Sequence, residues 1–187
     1  KCSVCGKTTT STLYAPKTVT LSATSYTYDG KVKKPSVTVK DSKGNKIGSR
    51  YYTVSYPSGR KNVGKYTVKV TFKGNYIGSK SATFAIKPKG TGVSKVTAAK
   101  KGFKVTWKKQ TMQTTGYQVQ YSTSSKFKKA KTVTVSKNKS TSKSVGKLSA
   151  KKKYYVRVRT YKTVKIGGKS VKLYSGWSNV KSVTTKK

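Results

Sequence analysis

Tyr66-Thr67-Val68-Lys69-Val70-Thr71-Phe72 puts an apolar or aromatic side chain at every second position and Thr or Lys between them. Successive side chains of a strand point to opposite faces, so Tyr66, Val68, Val70 and Phe72 share one face and the polar set the other. The expected element is a half-buried β-strand. Working towards the N-terminus, Tyr52-Thr53-Val54-Ser55-Tyr56 alternates in the same way up to Pro57-Ser58-Gly59, and Val37 and Val39 lead into the turn Asp41-Ser42-Lys43-Gly44-Asn45. Tyr26-Thr27-Tyr28 runs into Asp29-Gly30, and Val19 and Leu21 open the series near Pro16. On the other side, Gly74-Asn75 turns the chain into a strand with Ala82, Phe84 and Ile86. Gly, Asn and Asp tolerate positive φ, which tight turns demand. Six or seven short strands at this spacing predict a β-sandwich over residues 16–88.

The chain has 44 Lys and Arg against Asp29 and Asp41, no Glu and no His, a formal net charge of +42. General acid-base catalysis leans on His, Glu and Asp, and hard metal ions need clustered carboxylates. A Ser/His/Asp hydrolase, a two-carboxylate glycosidase and a dinucleotide enzyme are excluded, because the chain holds neither their residues nor a Gly-rich phosphate loop. Both acids are expected to form turns. The chain reads as a non-catalytic binder or spacer with no cofactor. High charge and abundant Lys, Ser and Thr are also features of disorder, but disordered chains lack the alternating Tyr, Val and Thr seen here. The whole-molecule field attracts polyanions. Only Arg50, Arg60, Arg157 and Arg159 offer the planar fork of a guanidinium; the other cations are Lys, which also keep strand edges apart.

Cys2 and Cys5 form a Cys-x-x-Cys ahead of Gly6-Lys7, one half of a zinc site. A structural zinc takes about four ligands, and no further Cys or His exists to complete the set. The metal expectation is therefore none, with residues 1–15 read as a truncated stub and linker. No apolar run approaches the roughly 18 residues of a membrane span, and the N-terminus is not a signal peptide.

Asn62-Val63-Gly64-Lys65-Tyr66-Thr67-Val68 resembles the Asp-x-Gly-x-Tyr-x-Cys signature of immunoglobulin domains, with Val68 where the disulfide Cys would stand. That departure resembles the disulfide-free immunoglobulin-like domains of Gram-positive surface proteins. Lys87-Pro88-Lys89-Gly90-Thr91-Gly92 breaks strand pairing, and residues 89–92 read as a linker. Beyond it, residues 93–187 resemble a fibronectin type III domain. Phe103-Lys104-Val105-Thr106-Trp107 looks like its second strand with the core Trp, and Gly116-Tyr117-Gln118-Val119-Gln120-Tyr121 like its third. Leu148 followed by Tyr154, Val156 and Val158 matches the family's Leu-to-Tyr corner, and Trp177 looks like the start of its final strand. The resemblance implies an all-β chain of two tandem β-sandwiches, with Trp107, Tyr154, Val156 and Val158 in the second core.

Three groups of residues are candidates for binding. Val164 to Tyr174 forms two alternating arms around Gly167-Gly168, a protruding hairpin, so Ile166, Leu173, Tyr174 and Trp177 make a first patch. Tyr155, Arg157, Arg159 and Tyr161 are expected opposite Tyr154, Val156 and Val158, interleaving rings and guanidinium groups on one strand face. Arg50, Tyr51 and Tyr52 repeat this on a smaller scale. The tandem pair, the Lys-rich composition and the Cys-x-x-Cys stub resemble the non-catalytic portions of surface or secreted proteins of gut Firmicutes. This implies an extracellular or cell-surface monomer. Its expected partner is an anionic wall polymer or host glycan. The alternatives are a host protein such as an immunoglobulin variable domain and, third, nucleic acid, disfavoured by dispersed Lys and scarce Arg.

Overall fold

The structure, a computed structural model, describes residues 12–187, so Cys2 and Cys5 lie outside the described residues. The strands are β1 (Pro16–Leu21), β2 (Ser25–Thr27), β3 (Val37–Asp41), β4 (Tyr52–Ser55), β5 (Gly64–Phe72), β6 (Ser79–Lys87), β7 (Val93–Ala99), β8 (Gly102–Trp107), β9 (Gly116–Ser122), β10 (Lys131–Val135), β11 (Ser142–Val145), β12 (Lys153–Ile166), β13 (Lys169–Tyr174) and β14 (Lys181–Thr184). A 3-10 turn at Ser49–Tyr51 is the one helical element among the described residues. The chain forms two compact units. One holds Lys34–Pro57, Tyr66–Phe84 and the segment up to Thr24; the other holds Ser25–Lys33, Ser58–Lys65 and Ala85–Lys187.

In the first unit β1 and β3 pair antiparallel, with Val19 opposite Val39, and β4 and β5 pair with Tyr52 opposite Phe72. Val39, Ile47, Tyr52, Val70, Phe72 and Tyr76 fill the space between them. The alternation that predicts β5 holds: Val68, Val70 and Phe72 are buried and Thr67, Lys69 and Thr71 are exposed. Asp41 closes the turn after β3. Its Oδ1 accepts hydrogen bonds from the backbone N–H of Lys43 at 2.8 Å and of Asn45 at 2.9 Å, and Gly44 takes φ +89°. Asp29, in the second unit, serves its own turn by accepting from Lys31 N at 2.9 Å and pairing with Lys33. Both acids are turn formers, as the sequence implies. The Tyr26-Thr27 strand is present too, but it belongs to the second unit, where β2 pairs parallel with the Ala85 to Lys87 end of β6, a partner that local sequence does not announce.

The second unit is a sandwich of a three-stranded sheet, β11-β8-β7, and a five-stranded sheet in which β10, β9 and β12 are consecutive and β13 and β14 both pair with β12. Phe103, Val105, Trp107, Tyr117, Val119, Tyr121, Tyr154, Val156 and Val158 form the core, which includes all four residues expected there. The long β12 is served by two partners in turn. β14 covers residues 153–156 and β13 covers residues 161–166. Between them the chain leaves strand geometry, and two serines supply the missing rungs. Ser178 Oγ accepts from Val158 N at 3.0 Å and Ser175 Oγ from Thr160 N at 3.1 Å. Trp177 therefore stands in this kink and does not open the final strand, which begins at Lys181. The physical reason is that hydroxyl groups replace backbone carbonyls as acceptors there, so the segment can bend without orphaning the N–H groups of β12.

The hydroxyl that ties this sandwich together belongs to Tyr117. Fully buried, it accepts from Gln110 N at 2.8 Å and lies 2.9 Å from Gln110 O and 2.7 Å from Asn138 O, linking two loops to β9. Tyr154, at the expected corner, is held by ring contacts with Phe103 and Tyr121, and its hydroxyl has no hydrogen-bond partner among the described residues. Tyr117→Phe should then cost roughly 1–3 kcal/mol by stranding buried backbone groups, while Tyr154→Phe should stay within about 0.5 kcal/mol of wild type. Urea denaturation of the chain orders the two variants; equal losses would contradict this assignment. Stability against pH follows from the few titrating groups. Burial raises the Asp41 pKa, but hydrogen bonds from Asn45, Lys43 and Gly44 outweigh it and leave the carboxyl below its usual value. The Lys33 and Lys31 bonds lower Asp29. Depressed carboxyls stabilise the fold above their unfolded pKa and lose that contribution as pH falls through the folded value. Burial, then the neighbouring Tyr154, pushes the Tyr121 phenol up, and that contribution is lost as pH rises past the ordinary tyrosine range. With no His or Glu, the melting temperature should be flat from about pH 5 to 9 and fall outside that window. A transition near pH 6–7 would overturn this expectation.

Candidate functional site

Alternation along β12 turns Tyr154, Val156 and Val158 into the core and leaves Tyr155, Arg157 and Arg159 half-buried on the outer face of the five-stranded sheet. Register places Arg157 opposite Gln120 and Arg159 opposite Gln118 of β9. Each guanidinium reaches its partner with two N–H groups. Arg157 Nε and Nη2 donate to Gln120 Oε1 at 2.8 and 2.5 Å, and Arg159 Nε and Nη2 donate to Gln118 Oε1 at 3.0 and 2.7 Å. The amide nitrogens continue the relay to β10: Gln120 Nε2 lies 3.2 Å from Thr132 Oγ1 and Gln118 Nε2 lies 3.4 Å from Thr134 Oγ1. Two parallel polar rows therefore cross three strands and fix both arginine planes.

Aromatic rings complete the arrangement. Phe127 lies 3.8 Å and Trp177 4.7 Å from Arg157 Cζ, measured to ring centroids; Tyr174 lies 3.9 Å and Trp177 4.2 Å from Arg159 Cζ. The stack runs Phe127, Arg157, Trp177, Arg159, Tyr174, and then Tyr161, whose ring centroid is 6.1 Å from that of Tyr174. Three local devices deliver these rings. The serine rungs hold the kink that carries Trp177, β13 ends at Tyr174, and the β9–β10 loop puts Phe127 at φ +55°, a left-handed conformation unfavourable for a bulky residue. Ser122 Oγ donating to Lys128 O at 2.7 Å pins that loop. Each guanidinium-ring contact contributes on the order of 0.5–2 kcal/mol when partly desolvated. Burial pushes both guanidinium groups below their usual pKa; for Arg159, Tyr174 partly offsets this and Arg157 adds to it.

The first expected patch divides. Tyr174 and Trp177 join Arg157 and Arg159, but Ile166 and Leu173 do not, because Ile166 pairs with Lys169 and Leu173 with Lys162 on the opposite face of the β12–β13 hairpin. The hairpin itself has the expected two-residue turn, with positive φ at Gly167 and Gly168. Tyr161 is 2% exposed rather than presented to solvent. It pairs with Gly116, where an added Cβ would come within 3.0 Å of the Tyr161 ring, so the ring lies down over the glycine under Tyr174 and Lys172. Tyr155 stands on the outer face outside the stack, with Lys153 Nζ 5.5 Å from its ring. In the first unit, Arg50 Cζ lies 5.8 Å over Tyr51, and Tyr51 meets Tyr76 edge-on, but Tyr52 is 8% exposed and belongs to the core. Tyr52 opens β4 opposite Phe72, and that pairing turns its ring inward, whereas Tyr51 ends the 3-10 turn. Phe127, Gln118 and Gln120 were missed. The signals were a lone Phe in the Lys- and Ser-rich loop and glutamines alternating across from the arginines. Among the described residues no group of three His, Cys, Asp or Glu could hold a metal, and no helix is long and apolar enough to cross a membrane.

Residues 17–90 match the family model of the MBG domain and residues 86–175 that of the fibronectin type III domain. The chain carries the two domains in tandem, an immunoglobulin-like one followed by a fibronectin type III one. Solved structures similar to it include the FN1–FN3 domains of chicken CNTN1, at 22% identity over 92% of this chain and 67% of that one with a TM-score of 0.45. A segment of two fibronectin type III domains from chicken tenascin is 20% identical over 92% of this chain and 99% of that one, with a TM-score of 0.43. No curated protein matches. Domains of these two kinds are typically non-catalytic scaffold modules, and fibronectin type III domains are generally binding modules. Removing Trp177 breaks the stack at its centre and takes ring contacts from both arginines. Trp177→Ala should cost roughly 2–3 kcal/mol in urea denaturation, against about 1 kcal/mol or less for Leu173→Ala. A neutral Trp177→Ala would show that the stack does not hold the kink.

Proposed function

We propose that this chain is a non-catalytic extracellular spacer and adhesion module of a bacterial surface or secreted protein, and that it associates with anionic cell-wall polymer or host glycan. A linker at residues 89–92 between domains at 16–88 and 93–187 is part of the same reading. One observation carries it: the two carboxylates of the chain are already engaged in turns, Asp41 with Lys43 and Asn45 and Asp29 with Lys31 and Lys33. A net charge of +42 is thus left with almost no internal counterion. The lysines lie on the exposed positions of nearly every strand and loop, so an incoming polyanion meets cations wherever it lands and releases its own condensed counterions on binding. The domain types support the same reading, since domains of these kinds are typically non-catalytic scaffold modules.

Affinity for heparin or glycerol-phosphate teichoic acid should fall by orders of magnitude between about 50 and 200 mM salt, and a single Lys→Ala should change it by less than about twofold, because dispersed cations share the contact. Titration calorimetry with the intact chain at several salt concentrations measures both quantities. A tight, salt-insensitive complex with a host protein instead would refute the electrostatic reading.

A further inference from the structure

The lysines are mobile point charges, but the cations of Arg157 and Arg159 are fixed in place. Trp177 lies against both guanidinium groups, Phe127 against that of Arg157 and Tyr174 against that of Arg159. The Nε and Nη2 edge of each is taken up by Gln120 or Gln118. A guanidinium has five N–H donors, so three of each arginine, both on Nη1 and the second on Nη2, have no partner among the described residues. Rings lie against the planar groups and a glutamine takes one edge, which leaves the end of each guanidinium, where one N–H of Nη1 and one of Nη2 run side by side. Because Arg157 and Arg159 are alternate residues of one strand, their side chains leave the same face of the sheet from backbone positions about 7 Å apart. Asn, Gln or backbone dipoles can orient a cation, but only an anion neutralises it. The chain places no carboxylate here, its two acids being engaged in their own turns.

We infer that the open ends of Arg157 and Arg159 form a preorganised oxyanion clamp that takes the sulfate ester or phosphodiester groups of a linear anionic polymer. The clamp deepens the polyanion reading above and rests on it. Two N–H donors in one plane match two oxygens of a tetrahedral anion, and Arg makes this bidentate pair where Lys cannot. A half-buried cation selects the anion that sheds water at least cost. Charge spread over the oxygens of a sulfate ester or phosphodiester meets that demand better than the concentrated charge of a carboxylate. The lysine field gathers the polymer at any point of the surface, and the clamp fixes where along the sheet its anionic groups come to rest. The outer face of β12 is thereby the positioning site of the module.

The test neutralises the clamp without dismantling it. In Gln118→Glu/Gln120→Glu each arginine keeps an acceptor at the same place but gains an internal counterion. The control, Thr67→Glu/Thr83→Glu, makes the same change in net charge at exposed positions of the first unit. Thermal melting of both variants comes first, with the clamp variant expected to melt at or above the wild-type temperature. Binding of the intact chain to heparin, glycerol-phosphate teichoic acid and carboxylate-only hyaluronan is then measured by calorimetry at 150 mM salt. The clamp variant should lose about tenfold or more in affinity for heparin or for teichoic acid, the probe affected identifying the source, whereas the control loses less than about twofold and hyaluronan binding changes equally in both. Arg157→Lys/Arg159→Lys, which keeps the charge, should lose a similar factor. Equal losses in clamp and control variants, with steep salt dependence retained, would overturn the clamp and leave the dispersed reading standing. No binding of any polyanion by wild type would overturn both.

Discussion

Forty-four cations facing two carboxylates is the constraint to which the rest of the structure answers. Ordinary domains neutralise basic side chains with neighbouring acids; this one has an acid only where a turn needs an acceptor for backbone N–H groups. Self-repulsion at this charge opposes the compact state. Cohesion must therefore come from groups that carry no charge: two apolar cores, sheet hydrogen bonds and hydroxyl groups placed where the backbone would otherwise be left unpaired. Ser175, Ser178 and Tyr117 each fill such a gap. Lysine suits this arrangement because its long stem covers apolar surface while its ammonium stays in water.

The outer face of β12 shows what happens where a cation cannot be left to water. Arg157 and Arg159 are half-buried and adjacent, and in a chain with ordinary acid content an Asp or Glu opposite them would be the simplest partner. Here glutamine amides supply the dipoles and Phe127, Trp177 and Tyr174 supply the π-faces. A ring quadrupole and an amide oxygen stabilise a cation without cancelling its charge. The arrangement is stable, yet it stays electropositive.

The strands were legible because the sheets have one buried and one exposed face, and alternation records that difference directly. Tyr66 to Phe72, Phe103 to Trp107 and Tyr154 to Val158 all sit in the structure as their period implies. The turns were legible for a comparable reason, since Asp-Gly and Gly-Asn can satisfy positive φ and an Asx acceptor without help from afar. What alternation cannot carry is the identity of a partner. Nothing in Ser25-Tyr26-Thr27 specifies a parallel pairing with β6, and nothing in Tyr161 reveals that Gly116 lies beneath it and Tyr174 above. Tyr154 and Tyr117 pose the same problem: the resemblance carried by Leu148 and Tyr154 suggested the corner, whereas the hydroxyl with partners is the one that two distant loops reach.

The candidate site was half legible for that reason. Arg157 and Arg159 announced themselves by alternating with a buried set, but their meaning depends on Gln118 and Gln120 one strand away and on rings from two further segments. Residues that share a strand share a face and can be found by counting. Residues that complete one another across strands are set by register, and register here is fixed by the hydrophobic faces and the hairpin turn rather than by the site itself. Shifting β9 by one residue against β12 would turn Gln118 and Gln120 to the other face and leave both guanidinium groups without acceptors, while burying amides where Val119 and Tyr121 now pack. The same core packing that holds the sandwich together thereby aligns the two cations, so the electropositive face is positioned by apolar groups that never touch it.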